Sequence, residues 1–291
     1  MVINNTSVYY IDNQNMLTAS IVVYKTQELE LQMVVDCALD STIDTIYIVD
    51  NSPSNELQEL IENYQSDRLV YIFGQGNIGY GAAHNIAIDK SLELGSDYHI
   101  ILNSDIIFEA GTIETLYKFM DKHPDIGSVM PNVVYPDGKL QRLCKLLPTP
   151  FDIFARRVFP KSWVARRNRR FEMHFMGYDK IWNCPYLSGC FMFLRNSVLR
   201  QIGGFDDRFF MYFEDTDLIR RMYRVSKTVF YPYVTIIHAH KAEHRTNKTL
   251  LKISIESAIK YFNKYGWLFD RERRKFNKEA CSSSNDLSRL A

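Results

Sequence analysis

Three carboxylates, Glu214, Asp215 and Asp217, stand within four positions, just after the aromatic run Phe209-Phe210-Met211-Tyr212-Phe213 and the preceding Gly203-Gly204-Phe205-Asp206. Acids crowded among poorly solvating side chains repel one another and resist ionisation, so such a cluster serves proton transfer, cation binding or hydrogen bonds to a polar ligand. A helix start produces the same pattern. Acids in a first turn meet unpaired N–H groups and the positive end of the dipole, and Leu218-Ile219-Arg220-Arg221-Met222 continues as a helix. Asn103-Ser104-Asp105 is the second candidate: an Asp after a strand forms turns and caps, or holds a hard divalent cation against a diphosphate. The third is the loop Gly74-Gln75-Gly76-Asn77-Ile78-Gly79-Tyr80-Gly81, whose glycines permit close backbone approach to a phosphate. Its spacing is not the dinucleotide G-x-G-x-x-G and no Walker lysine follows, so a dehydrogenase and a P-loop enzyme are disfavoured, and a plain glycine-rich turn stays open. His238 and His240 alternate at a strand end and point to opposite faces, so one of them faces any site, as a metal ligand or as a structural hydrogen-bonding residue.

These motifs need a scaffold that collects them. Leu17 to Tyr24, Thr45 to Val49, Leu69 to Phe73 and Tyr98 to Leu102 read as short buried strands, alternating with helical periodicity over Glu28 to Leu39, Leu57 to Tyr64 and Ala82 to Leu94. Such alternation predicts an α/β fold with a mostly parallel sheet, helices on both faces, and ligands bound outside the carboxyl ends of the strands. Asp50-Asn51-Ser52, the glycine loop and Asn103-Ser104-Asp105 follow the second, third and fourth strands and therefore share that edge. Further on, Thr112 to Lys122 reads as a helix, Gly127 to Met130 and Val133 to Tyr135 as two strands, Tyr186 to Leu194 as one strand and Asn196 to Ile202 as a short helix. Glu214 to Val225 reads as a longer helix, Thr228 to Tyr231 and Val234 to Ile237 as strands, and Leu250 to Lys278 as a basic helical tail.

A chain of 291 residues with 46% hydrophobic content can bury a large core, and its net charge of +1 conceals clustering. Residues 139–180 carry eleven Lys or Arg against three Asp or Glu. Within them FARRVFPKSWVARRNRRF mixes aromatic with basic side chains, as a segment lying on an anionic membrane or an ordinary solvated loop does. The five cysteines lack C-x-x-C spacing, which disfavours a zinc site or disulfide scaffold and fits a reducing cytoplasm. Neither a signal peptide nor an apolar run of membrane-spanning length is present, so the expectation is a chain that does not cross a bilayer.

In order, IVVYKT, IVDNS, GNIGYGAAHN, LNSD, YLSGCFMFLR, GGFDDRFFMYFEDTDLIRR and IIHAH resemble a family 2 glycosyltransferase of the GT-A type, in particular the rhamnosyltransferase-like members that build bacterial surface polysaccharides such as O-antigen and capsule. The resemblance runs from about Leu17 to about His240. It implies a Rossmann-like GT-A domain over 1–245, its nucleotide-sugar half at 17–105 and its acceptor half at 106–245, with a helical extension at 246–291. It also implies inverting sugar transfer from a nucleotide diphosphate, dTDP-rhamnose first and UDP-hexoses next, with Mg²⁺ or Mn²⁺. By resemblance Asp50 contacts the base, Gly79 and Asn85 line the donor pocket, and Asn103 and Asp105 form the metal motif, with Asp105 its one carboxylate ligand. Asp215 is then the general base, Glu214 its partner, and His238 a candidate further metal ligand. The implied acceptor is a saccharide on undecaprenyl diphosphate, at the cytoplasmic face of the membrane. A sugar-nucleotide-forming nucleotidyltransferase and a non-catalytic sugar-binding module are the rival readings; the first lacks its glycine- and arginine-rich loop, since Val23-Tyr24-Lys25-Thr26 stands there.

Overall fold

A computed structural model describes residues 16–239 and 248–290 of the chain. Strands β1 (Leu17–Val23), β2 (Thr45–Asp50), β3 (Leu69–Phe73) and β4 (Tyr98–Leu102) alternate with helices α1 (Glu28–Leu39), α2 (Gln58–Asn63) and α3 (Tyr80–Glu93). There follow β5 (Ile106–Phe108), α4 (Thr112–Lys122), β6 (Ile126–Val134), β7 (Cys144–Lys145), α5 (Pro150–Val158), α6 (Lys161–Phe171), β8 (Trp182–Asn183), β9 (Tyr186–Leu187) and β10 (Phe191–Arg195). The rest comprises α7 (Asn196–Ile202), α8 (Glu214–Tyr223), β11 (Lys227–His238), α9 (Lys248–Tyr265) and α10 (Arg271–Ala280).

The central sheet runs β3-β2-β1-β4-β10-β6-β11-β5, with β8 beside β11. Parallel pairing joins β1 to β2 and β4, β2 to β3, and β6 to β11, while β10, β5 and β8 run against their neighbours. Most strands thus point one way, and their carboxyl ends make a common rim. Successive residues of β2 face opposite sides of the sheet. Ile46 and Ile48 join the main core with Leu31, Val34, Val35 and Ala38 of α1, whereas Tyr47 and Val49 pack with Ala83 and Ala87 of α3. The buried α1 positions fall at i, i+3, i+4 and i+7, one stripe of a helix. Burying each such aliphatic side chain stabilises the fold by roughly 1.5–3 kcal/mol.

Four readings from the sequence are corrected here. Ile126–Val134 is one strand where two were expected: β6 runs through Pro131, which lies beyond the last β10 partner, Val129, and beside a register shift against β11, where a missing N–H is tolerated. β11 is likewise continuous, and the shift between Tyr231 and Thr235 marks the apparent gap. The stretch Tyr186 to Leu194 is instead broken, because Ser188-Gly189-Cys190 leaves the ladder between β9 and β10. The tail is two helices, interrupted at Gly266 with φ +100°. Residues 139–180, unassigned from sequence, supply β7, α5 and α6, and β7 pairs with β9 beside the acidic cluster.

Candidate functional site

Asp50 closes β2 and is fully buried. Its Oδ1 accepts the Ser52 N–H at 2.7 Å and its Oδ2 accepts the Tyr71 hydroxyl at 2.5 Å. Asn51 then donates through Nδ2 to the Gly79 carbonyl at 3.1 Å, tying the second strand end to the glycine loop. Gly79 has φ +95°, and a Cβ there would stand 2.3 Å from the Phe210 carbonyl oxygen. The same oxygen accepts the Tyr80 N–H at 2.8 Å. Only glycine permits both the left-handed backbone and this approach, so the donor-side loop is clamped onto the aromatic turn that precedes the acids.

That turn is strained. Tyr212 and Phe213 both have φ +67°, a region that costs non-glycine residues energy and that clusters at functional sites. Phe209 and Phe213 are held by Ala258, Tyr261 and Phe262 of α9, and the turn delivers Glu214 and Asp215 as the first residues of α8. Asp215 Oδ2 accepts the Gly189 N–H at 3.0 Å and the Tyr186 hydroxyl at 3.4 Å, while Oδ1 accepts the Thr216 N–H at 2.6 Å. A Cβ on Gly189 would stand 3.1 Å from the Asp215 Cβ, so the broken strand is what lets an amide reach the carboxylate. Burial pushes the Asp215 carboxyl above its ordinary value, with the Gly189 N–H and Lys145 opposing the rise. Glu214 is driven up further by burial and by Asp215, and its Oε2 has no hydrogen-bond partner. Like charges this close do not both ionise, so Asp215 ionises first and Glu214 keeps the proton.

On the other side of Tyr80, Asp105 Oδ1 lies 3.3 Å from His238 Nε2. Gln141 sets the imidazole: its Nε2 donates to the His238 carbonyl at 2.6 Å, which aims its Oε1 at His238 Nδ1, 3.0 Å away. Nδ1 therefore carries a proton, and Nε2 faces Asp105 as a lone pair or as a second N–H. Burial lowers the His238 pKa, but hydrogen bonding to Asp105 and Cys190 outweighs it and raises the value to about 10. A proton between carboxylate and imidazole occupies the place a divalent cation takes. One carboxylate and one imidazole suit a hard cation that completes its shell with water and phosphate oxygens. Among the described residues no group of three or more His, Cys, Asp or Glu side chains is arranged to hold a metal unaided. Ser104 donates to Glu30 of α1 at 2.7 Å and stiffens the loop between the two ligand positions.

Tyr80 joins the two corners. Its hydroxyl lies 2.8 Å from Asn103 Oδ1 and 2.7 Å from the Gly189 carbonyl, whose own N–H serves Asp215. One phenolic proton cannot serve two acceptors. A half-turn of the Asn103 amide satisfies both partners by placing Nδ2 on the phenol oxygen, and it turns Oδ1 toward His238. Burial raises the Tyr80 pKa, and the charges of Glu214, Cys190, Asp215 and Asp105 raise it further. The metal-side and base-side carboxylates thus act on one buried phenol.

Asn85 is tied to a distant loop. Its amide donates to the Phe205 carbonyl at 2.9 Å and to Asp207 Oδ1 at 2.7 Å, and it accepts the Phe205 N–H at 2.7 Å. Both amide atoms are engaged in this way, so Asn85 positions the Gly204-Phe205 loop against the start of α3. Asp217 is fully buried against Arg221 and Lys264, and Tyr265 donates to it, which makes it structural. His240 lies outside the described residues. Tyr80, Gln141, Lys145, Tyr186 and Gly189 went unassigned, although Tyr80, Tyr186 and Gly189 lie inside the quoted motifs. Gln141 and Lys145 come from the basic segment and carry no local signal.

Comparison with known proteins identifies the family and the fold. Residues 19–203 match the family model described as glycosyl transferase family 2. The N-acetylglucosaminyl-diphospho-decaprenol L-rhamnosyltransferase of Mycobacterium tuberculosis is 28% identical over 70% of this chain and 68% of its own. Rhamnosyltransferase WbbL of Escherichia coli is 26% identical over 76% of this chain and 81% of its own. Among solved structures, GalNAc-T7 with UDP, GalNAc and Mn²⁺ superposes with a TM-score of 0.59 at 13% identity, covering 93% of this chain and 56% of that one. Staphylococcus aureus TarS 1-349 gives 0.54 at 13% identity, covering 91% of this chain and 73% of that one. These neighbours show the fold, a GT-A glycosyltransferase fold. No helix among the described residues is long and apolar enough to cross a membrane.

Proposed function

The chain belongs to glycosyl transferase family 2, and from that premise we propose that it is an inverting, divalent-cation-dependent enzyme that moves rhamnose from dTDP-rhamnose onto a lipid-linked saccharide in surface polysaccharide synthesis. The rhamnosyl donor and lipid-linked acceptor follow the printed names of its relatives. The observation that carries the mechanism is the Tyr80 bridge, which sets Asn103 of the metal motif and the Gly189 amide on Asp215 a single phenol apart.

Asp50 and the glycine loop bind the nucleotide, the carboxylate reading a base N–H once Tyr71 yields it. Asp105 and His238 would hold Mg²⁺ or Mn²⁺, which supplies positive charge to the departing diphosphate. Asp215, its oxygens held by Gly189 and Thr216, removes the acceptor hydroxyl proton as the oxygen bonds to the anomeric carbon and the carbon–phosphate-oxygen bond breaks on the opposite face. The raised Asp215 pKa makes it a stronger base than a solvated aspartate. Glu214, protonated, donates to a sugar oxygen. The site works at the cytoplasmic face of the membrane, where a lipid-linked acceptor is presented.

A thermal-shift panel of dTDP-, UDP- and GDP-sugars, with and without Mn²⁺, tests this. A ligand at a hundred times its Kd stabilises the fold by about 2.7 kcal/mol. We expect dTDP-rhamnose with Mn²⁺ to give the largest shift, and Asp105→Ala to abolish its metal-dependent part along with slow donor hydrolysis. A shift with UDP-hexoses alone overturns the donor, and a shift indifferent to Asp105 overturns the metal site.

A further inference from the structure

The most exposed large apolar side chains include a cluster on α5, α6 and the α9–α10 connection. Phe151, Phe159 and Trp163 form an exposed aromatic ladder along α5 and α6, with ring centres 6.2 and 6.4 Å apart, and Trp163 is 76% exposed. Facing it is the connection between α9 and α10, where Leu268 is 69% and Phe269 85% exposed. The two meet around a groove of about 790 Å³ whose walls include Phe151, Arg170, Trp267, Leu268, Arg274 and Lys278. On α6, Trp163, Arg166, Arg167 and Arg170 are all exposed at i, i+3, i+4 and i+7, so one helical stripe carries an aromatic tip and three guanidinium groups. Asp152, the acid nearest this stripe in contact, is buried and taken by Arg167 at 2.5 Å. Water-exposed Trp, Leu and Phe ringed by Arg and Lys are costly unless something apolar and negatively charged covers them.

We propose that this composite surface, built from α5, α6 and the α9–α10 connection, is where the protein seats on an anionic lipid bilayer. The aromatic and leucine tips enter the headgroup boundary, and the surrounding cations meet the lipid charge. The arrangement deepens the acceptor reading above, and rests on it for orientation. Phe213, directly before the acids, packs 6.4 Å from Phe262, which lies 5.2 Å from Trp267 at the groove. A packed series of aromatic rings therefore connects this surface to the turn that presents Asp215. This surface joins two stretches far apart in sequence, and the exposed Leu268-Phe269 tip lies outside residues 19–203 that match the family model.

Sedimentation with vesicles of equal phosphatidylglycerol and phosphatidylcholine, against phosphatidylcholine alone, provides the test. Wild type should bind the anionic vesicles at least ~10-fold more tightly, and added salt should weaken the binding. Leu268→Ser with Phe269→Ser, and separately Arg166→Glu with Arg170→Glu, should each reduce binding about tenfold or more while melting temperature and donor hydrolysis stay unchanged. Absence of binding at about 0.15 M salt, or binding indifferent to both double variants, overturns the proposal. So does a dimer in light scattering that Leu268→Ser with Phe269→Ser dissolves, since a second copy is then the occupant. Transfer to a lipid-linked acceptor in detergent separates the two readings. Transfer without vesicle binding removes the surface alone, whereas vesicle binding without transfer removes the lipid-linked acceptor and leaves the surface standing.

Discussion

The first turn of α8 carries Glu214 and Asp215, and the residues just beyond carry Asp217, Arg220 and Arg221; all five are buried or nearly so, yet their energetics are opposite. Arg220 makes two 2.7 Å hydrogen bonds to Asp270, another at 2.8 Å to Glu272 and one at 3.0 Å to Tyr261, with its guanidinium 3.8 Å from the centre of the Tyr265 ring. Asp217 is shared between Arg221 at 2.8 Å and Lys264 at 2.5 Å. Every charge there has an opposite charge in contact. In the first turn the two acids are adjacent in the chain, their carboxyl pKa values are raised, and Glu214 Oε2 is unpartnered. Neutralised charge fixes the helix against the C-terminal helices. One helix thus holds ion-paired acids within a few residues of the two acids proposed to act on substrate.

The sharpest way to break that comparison is to neutralise the first turn. Asp215→Asn should reduce transfer by ~10²–10⁴-fold, the usual contribution of a general base, while donor affinity and melting temperature hold or rise slightly. Initial rates with a coupled nucleotide-release assay, together with a donor titration, read both quantities. Transfer at full rate would remove Asp215 from the reaction; loss of folding would place it in the structural group with Asp217.

Arg220→Ala probes the other half. Removing one member of a buried ion pair typically costs about 3–5 kcal/mol, because the partner charge is stranded. At roughly 2–4 °C per kcal/mol for a chain of this size, the melting temperature should fall by about ten degrees. Material that remains folded should bind donor normally. A drop of less than about 1 kcal/mol would mean that water reaches Asp270 freely and that the anchoring turn resembles a surface salt bridge.

How far the sequence announces this division depends on range. The rim was legible: periodicity located β1 to β4, and parallel strands gather Asp50, Gly79 and Asp105 at one edge. Asp105 with His238, and Glu214 with Asp215, were legible through ordered motifs. What stayed hidden depends on contacts between distant residues. Nothing local says that Gly189 must leave its strand to give Asp215 an amide, that Gln141 orients His238, or that Tyr80 spans both corners. Nor does anything local say that the Phe205 backbone, 120 positions away in sequence, takes the Asn85 amide. Arg220 and Arg221 read only as part of a continuing helix, because their partners Asp270, Glu272 and the Ile202 carbonyl are equally remote.

The smallest expected effect is the most discriminating, since it concerns the sign of an energy. Glu214→Gln preserves size and removes the ability to ionise. The folded pKa of Glu214 lies above its ordinary 4.5, through burial and then through Asp215. For a carboxyl raised in this way the folded state binds more protons than the unfolded state, so stability is lost as pH climbs from the unfolded value through the folded one. The variant lacks that slope. Its melting temperature should match wild type near pH 4.5 and exceed it increasingly toward neutrality. Melting curves at half-unit pH steps would trace the gap. A gap that is constant with pH would mean the proton does not reside on Glu214. A gap of opposite sign would mean that Glu214 is held as an anion by a neighbouring cation, making the first turn of α8 the same kind of place as the second.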